Sequence, residues 1–181
     1  NSEVLSRAAA QYEEGMARLQ AAEAQTAAGL PAWAKKLLAQ TGLDPDDPAA
    51  QKPLTREEVR IRHSQGLSLA GKNLAGLDLA RLDLTGADFR KAKLMKTNFH
   101  GCRLDGADLT HALAGEADFT AASLREAKLS RGIFPKAKFI GADLAGSDVT
   151  KAVMTEADLS RADLRNARLN KTLFEKAVLT G

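Results

Sequence analysis

The sequence predicts an all-β solenoid preceded by an α-helical N-terminal segment, and three patterns predict it. First, a large apolar residue stands at nearly every fifth position from Leu69 to Leu179. The register runs through 23 consecutive five-residue units without insertion or deletion, and all six Phe fall in it. A period of five matches neither a helix, at about 3.6 residues, nor a strand, at about two, so each unit is one identical step of a repeating turn. Second, the residue two before each of these centres is small (Ala, Gly, Ser, Thr or Cys) at all 19 positions from Ala87 to Ala177. Residues two apart share a side of an extended chain, so the large and the small one both point inward. Third, Asp or Asn often precedes the centre (Asp78, Asp88, Asn98, Asp108), and Gly often stands two after it (Gly76, Gly86, Gly106, Gly141). Such residues suit a tight turn in every unit, since Gly accepts positive φ and Asp bonds turn amides.

Ahead of the repeat, residues 1–43 predict a helical hairpin. Leu5, Ala8, Tyr12, Met16, Leu19 and Ala22 recur at spacings of three and four, a weak apolar stripe that needs something to pack on. Gly29 ends this first helix, Pro31 can open a second carrying Trp33, Leu37 and Leu38, and Thr41-Gly42 stops it. Residues 44–54, with Pro45, Pro48, Pro53 and three Asp, read as a linker. Residues 55–65 predict a short capping helix, because Thr55 and Glu58 have capping-box spacing. Its Val59 and Ile61 are expected to cover the first apolar layer, as the end of a solenoid requires. The solenoid itself occupies 66–181.

The repeat resembles the pentapeptide repeat family, whose unit is written Ala-Asp/Asn-Leu-x-x. It stands here as Ala87-Asp88-Phe89, Ala107-Asp108-Leu109, Ala142-Asp143-Leu144, Ala157-Asp158-Leu159 and Ala162-Asp163-Leu164. The resemblance implies a right-handed quadrilateral β-helix with four units per coil and about six coils, a rod of about 28 Å at the β spacing of ~4.8 Å. Leu67, Lys72, Leu77 and Leu82 depart from the small residue at the start, and Leu113-Ala114 look exchanged. Irregular coils are expected at both places.

With four units per coil, residues 20 apart stack. One column before the centre reads Asn73, Lys93, Leu113, Ile133, Val153, Leu173. Its last four members are a candidate partner-binding column, since a contiguous exposed apolar patch marks an interface. The alternative is plain pairing of branched side chains between coils. A second column, Lys91, His111, Arg131, Lys151 and Lys171, makes a basic stripe. Acid in the neighbouring column (Asp88, Asp108, Asp148) is expected to offset it, and no aromatic interleaves to stack bases, so nucleic acid is not the expected partner. Phe174, Val178 and Leu179 are candidate end-cap or dimer contacts, through which the last coil is expected to form a homodimer or dock a partner.

No catalytic, cofactor-binding or metal-binding set stands out: His63, His100 and His111 lack ligand spacing, and no nucleophile–base or paired-carboxylate arrangement appears. The expectation is a non-enzymatic protein-interaction scaffold. The single Cys102 fits a reducing compartment, the cytosol, and no apolar run approaches the ~18 residues of a membrane span. The chain starts at Asn1, which fits a piece of a longer polypeptide. The stretch Leu54 to Ala70 resembles, less specifically, the lead-in to pentapeptide-repeat tails of bacterial type VI secretion-associated adaptor proteins. That implies an adaptor that loads an effector onto the secretion spike. The rival within the family, a DNA mimic that protects gyrase, needs an acidic rod. From Leu67 to Gly181 there are 18 Lys plus Arg against 14 Asp plus Glu, the wrong sign.

Overall fold

The computed structural model describes residues 53–180. The expected hairpin over 1–43 and nearly all of the expected linker lie outside the described residues.

From residue 69 onward each five-residue unit repeats one backbone pattern. The carbonyl of the centre accepts from the N–H three residues later, as in Ala92 N–H to Phe89 O at 3.0 Å and Ala107 N–H to Leu104 O at 3.0 Å. The residue two after the centre has positive φ in every unit from Gly71 to Lys176, the signature of a type II turn. Only some of these corners are Gly; Lys91, Glu116, Ala121 and Lys151 adopt the same conformation with φ of 55–60°. The residue before the centre forms a parallel bridge to the residue 20 later, from Asn73↔Lys93 through Asp158↔Val178. Every bridge has that offset, so four units make one coil, and the 23 units make just under six. Each side of the coil pairs through one residue flanked by turns.

Inside, the centres and the small residues two before them are buried from Ala87 to Leu159. Phe99, Phe119 and Phe139 stack in one column with ring centroids 5.0 and 4.8 Å apart, which is the coil-to-coil rise. Three of the small residues that carry a donor spend it on a carbonyl one coil below, as Thr97 Oγ1 does on Leu74 O at 2.8 Å and Cys102 Sγ on Leu79 O at 2.9 Å, whereas the buried Ser147 hydroxyl has no partner.

The expected irregularities do not occur. Ala114 keeps its place in the core register, fully buried, while Leu113 stays on the outer side and bridges both Lys93 and Ile133. In the coil above, the bulkier Phe134 takes the same column, lies over Gly132 and packs against Phe119 and Phe139. At the start, Leu77 and Leu82 pack against the core in place of small residues, and the inter-coil bonds there are ordinary, such as Gly76 N–H to Met95 O at 2.8 Å. The first coil is the lowest layer, so larger side chains are accommodated.

That lowest layer is covered by α1, Arg56–Ser64. Its capping box is complete: the Thr55 hydroxyl accepts from Glu58 N–H, and the Glu58 carboxylate accepts from Thr55 N–H at 2.6 Å. Leu54 N–H donates to Asn73 O at 2.9 Å, the same bond that Leu74 N–H makes to Lys93 O one coil up. The Arg56 guanidinium donates to Asp78 O and Ala80 O, two further carbonyls of the open edge, at 2.8 and 2.9 Å. Val59 is fully buried, but Ile61 is 44% exposed. The expectation that both cover the layer is corrected by helix geometry: residues two apart are turned by about 200° and cannot face the same way. Leu54 is the second apolar cover, partly buried against the core.

Candidate functional site

Each of the four faces presents two outward columns, the bridging residue before the centre and the residue after it. Three faces are polar. On them Asp side chains accept from the amide two residues on, as Asp108 does from Thr110 and Asp148 from Thr150, at 2.9 and 3.0 Å. Arg90 binds Asp88 and Arg165 binds Asp163, each through two guanidinium nitrogens, and Arg103–Asp83 and Arg125–Asp143 add ion pairs. These contacts hold the carboxyls of Asp88 and Asp163 well below the ordinary range, first through the side-chain hydrogen bonds from Arg90 and Arg165; the Asp163 value falls to about 2.

The fourth face differs. Its bridging column carries Leu113, Ile133, Val153 and Leu173 as successive bridge partners, each half-buried. Its second column, which sequence reading missed, carries Met95, Gly115 and Pro135. Gly115 is buried because the two neighbours close over it: a Cβ there would lie 3.3 Å from Pro135 Cγ and 3.8 Å from Met95 Cε. The signal is present in the sequence, in the same 20-residue folding applied one column further: Ala75, Met95, Gly115, Pro135, then the polar Thr155 and Glu175. Both columns together make one apolar side on an otherwise polar rod.

The corners that border this face are unequal. On one side Lys96–Glu116 and Lys136–Glu156 pair at 3.8 and 3.7 Å. On the other stands the basic stripe, with His111, Arg131, Lys151 and Lys171 each two residues before a member of the apolar column. Of the expected offset, Asp88 is taken up by Arg90, while Asp108 and Asp148 accept turn amides and keep their negative charge beside the stripe. Among the described residues no ion pair reaches Arg131, Lys151 or Lys171.

Of the end residues, Phe174 packs partly against the core, whereas Val178 and Leu179 are 44% and 55% exposed. Thr55, Glu58 and Val59 belong to the opposite end, so the candidate residues fall into three separate places. Among the described residues no group of three His, Cys, Asp or Glu has metal-holding geometry, and no helix is long and apolar enough to cross a membrane. The Cys102 thiol is buried, and loss of hydration pushes it up to about 11.

A four-sided rod of five-residue turns with one distinct face defines the class as a repeat solenoid. The sequence matches the family described as "Pentapeptide repeats (8 copies)" in overlapping segments (73–110, 102–139, 117–156, 137–175 and 157–181) that together span more than half of the chain. The chain belongs to the pentapeptide repeat family. No curated protein matches it. Among solved structures it is similar to HetL, a pentapeptide repeat protein involved in heterocyst differentiation regulation from the cyanobacterium Nostoc sp. strain PCC 7120. The identity is 29%, with 62% of this chain and 53% of HetL covered and a TM-score of 0.60. The chain thus spans about half the length of HetL. It is also similar to Rfr23 from the cyanobacterium Cyanothece 51142, at 19% identity, covering 68% of this chain and 98% of Rfr23, with a TM-score of 0.65. Trypsin-treated QnrB1, a plasmid-mediated fluoroquinolone resistance protein, matches at 18% identity over 63% of this chain and 76% of its own, but its TM-score of 0.30 is too low to bear on function. The right-handed quadrilateral β-helix of the family is supported by the first two.

Proposed function

We propose that this protein is a non-enzymatic interaction scaffold whose apolar face, centred on Leu113, Ile133, Val153 and Leu173, docks a protein partner. The observation that carries it is the contrast among faces: Asp turns and ion pairs occupy three, and an apolar double column occupies the fourth. Pairing between branched side chains explains an isolated column. It does not explain a second apolar column on the same side. The test is Ile133→Asp with Val153→Asp. Both side chains are outward, so the variant should keep its circular dichroism and lose the protein that co-purifies from source cells. Retained binding by the folded variant would return the column to a purely structural role.

The finer reading is an adaptor for type VI secretion effector loading in the bacterial cytoplasm, with an effector or spike component as the partner. It rests on the lead-in Leu54 to Ala70. Co-purification with such a component would support it, and a partner unrelated to secretion would replace it. The exposed Val178 and Leu179, with Phe174, remain the proposed contact for a homodimer, to be read from light scattering across a concentration series. Gyrase protection is disfavoured by the positive repeat, and a supercoiling assay with quinolone is expected to show no protection.

A further inference from the structure

Resting on the docking reading above, we infer that the partner element is an amphipathic α-helix with an apolar stripe flanked on one side by acidic residues. Charge distribution carries this first. The apolar face and its two bordering corners hold eight Lys or Arg against three Glu (Glu116, Glu156 and Glu175). The remainder of residues 67–181 holds ten Lys or Arg against eleven Asp or Glu. The whole positive excess of the repeat therefore lies along this one face. Two of its three Glu are already taken by Lys96 and Lys136 on the far corner. Arg131, Lys151 and Lys171 stand beside Ile133, Val153 and Leu173 without a carboxylate, so complementarity asks for acid on that flank.

Backbone accounting selects the helix. On this side of the rod, the N–H and C=O of each bridging residue and the N–H of each centre are consumed by the ladder between coils, for example Ile133 N–H to Ala112 O and Phe134 N–H to Val153 O at 2.9 and 2.7 Å, and only isolated amides such as that of Gly115 are left over. An added strand would find no free edge there, whereas a helix brings its own backbone satisfied. The pitch also fits. A helix advances ~5.4 Å per turn and the coils ~4.8 Å, so over the three steps from Leu113 to Leu173 the mismatch stays below about 2 Å. Side chains of one stripe can follow the whole column.

The test uses the full chain and synthetic helical peptides that share a Leu stripe and differ in its flank, Glu in one and Lys in the other, measured by fluorescence anisotropy at low salt. The Glu peptide should bind and the Lys peptide should bind on the order of tenfold more weakly, or not at all. Arg131→Glu with Lys151→Glu should reverse that order while the melting curve stays that of the parent. Equal binding of both peptides, lost with Ile133→Asp and Val153→Asp, would overturn the acidic-helix inference and leave the docking reading standing. Binding of neither peptide overturns the inference, while the co-purification experiment judges the docking reading separately. Capture by phosphatidylserine vesicles that depends on Arg131 and Lys151, in place of peptide binding, overturns it in favour of a lipid surface.

Discussion

Replacing Gly132 by alanine asks for one methyl group where the rod has no room. Gly132 is the sole Gly among the inward small positions from Ala87 to Ala177, most of which are Ala. A Cβ built on it would lie 2.4 Å from Phe134 Cε2, 2.8 Å from Cζ and 3.0 Å from Leu129 O. The carbonyl is fixed, because it accepts the Gly132 N–H in the turn. The ring is enclosed, with Phe119 and Phe139 at 6.2 and 5.8 Å between centroids. Relief requires moving the ring by about an ångström or shifting the turn, and overpacking of this kind costs about 1–3 kcal/mol. Phe134→Leu alone should cost about 1–2 kcal/mol for the ring contacts it gives up with Phe119 and Phe139. Together the two changes recreate the Ala-x-Leu unit found at Ala92 and Leu94, so their costs should not add. Urea denaturation of the four proteins, followed by circular dichroism at one protein concentration, measures the coupling. A neutral Gly132→Ala, or strictly additive costs, would refute the claim that Phe134 occupies the space Gly132 vacates.

Three further outcomes follow from the same geometry. Ala121 holds φ of 55°, so Ala121→Gly should stabilise the rod by about 0.5–1 kcal/mol, the reverse of what Gly does inside a helix or strand; a destabilised variant in the same denaturation assay would contradict the turn. The carboxyls of Asp83, Asp88, Asp148, Asp158 and Asp163 sit below their unfolded value of 3.8, first through side-chain hydrogen bonds from Thr85, Arg90, Thr150, Ser160 and Arg165. The folded state therefore binds fewer protons, and its stability is full above about pH 5 and falls as pH drops through the unfolded value of 3.8 toward about 2, the Asp163 value. Melting temperature against pH should show that decline, and one flat down to pH 2 would deny the turn contacts their role. Cys102, buried and raised to about 11, should resist a thiol reagent at pH 8 until the protein unfolds; stoichiometric labelling with the fold intact would contradict its inward position.

The repeat is legible in the sequence because each unit restates the same physical constraint. A rod with four units per coil makes position modulo 20 a spatial coordinate, so residue numbers alone group Leu113, Ile133, Val153 and Leu173 on one side. Legibility fails where a residue's meaning depends on a neighbour outside its own unit. Leu113-Ala114 resemble an exchange only as long as Ala114 is considered without Phe134 above it. Ile61 shares an apolar character with Val59, but a helix turns the two apart, while Leu54, which shares the five-residue register with Val59, supplies the second cover from what reads as linker. The bridging Asp residues count as charge in a composition, yet most also serve as turn acceptors, a role the composition does not show. Met95, Gly115 and Pro135 differ too much in chemistry to stand out as a column until their side of the rod is known.

Docking of the partner on one face of the four, as proposed, makes cross-linking specific to that face. A photo-cross-linking residue placed singly at Ile133 or Val153, and as a control at Arg103 or Asp143 two sides away on the opposite face, tests it in source cells. One shared adduct is expected from the first pair and none from the second. Adducts from Arg103 or Asp143 alone, or equal yields from both faces, would contradict it.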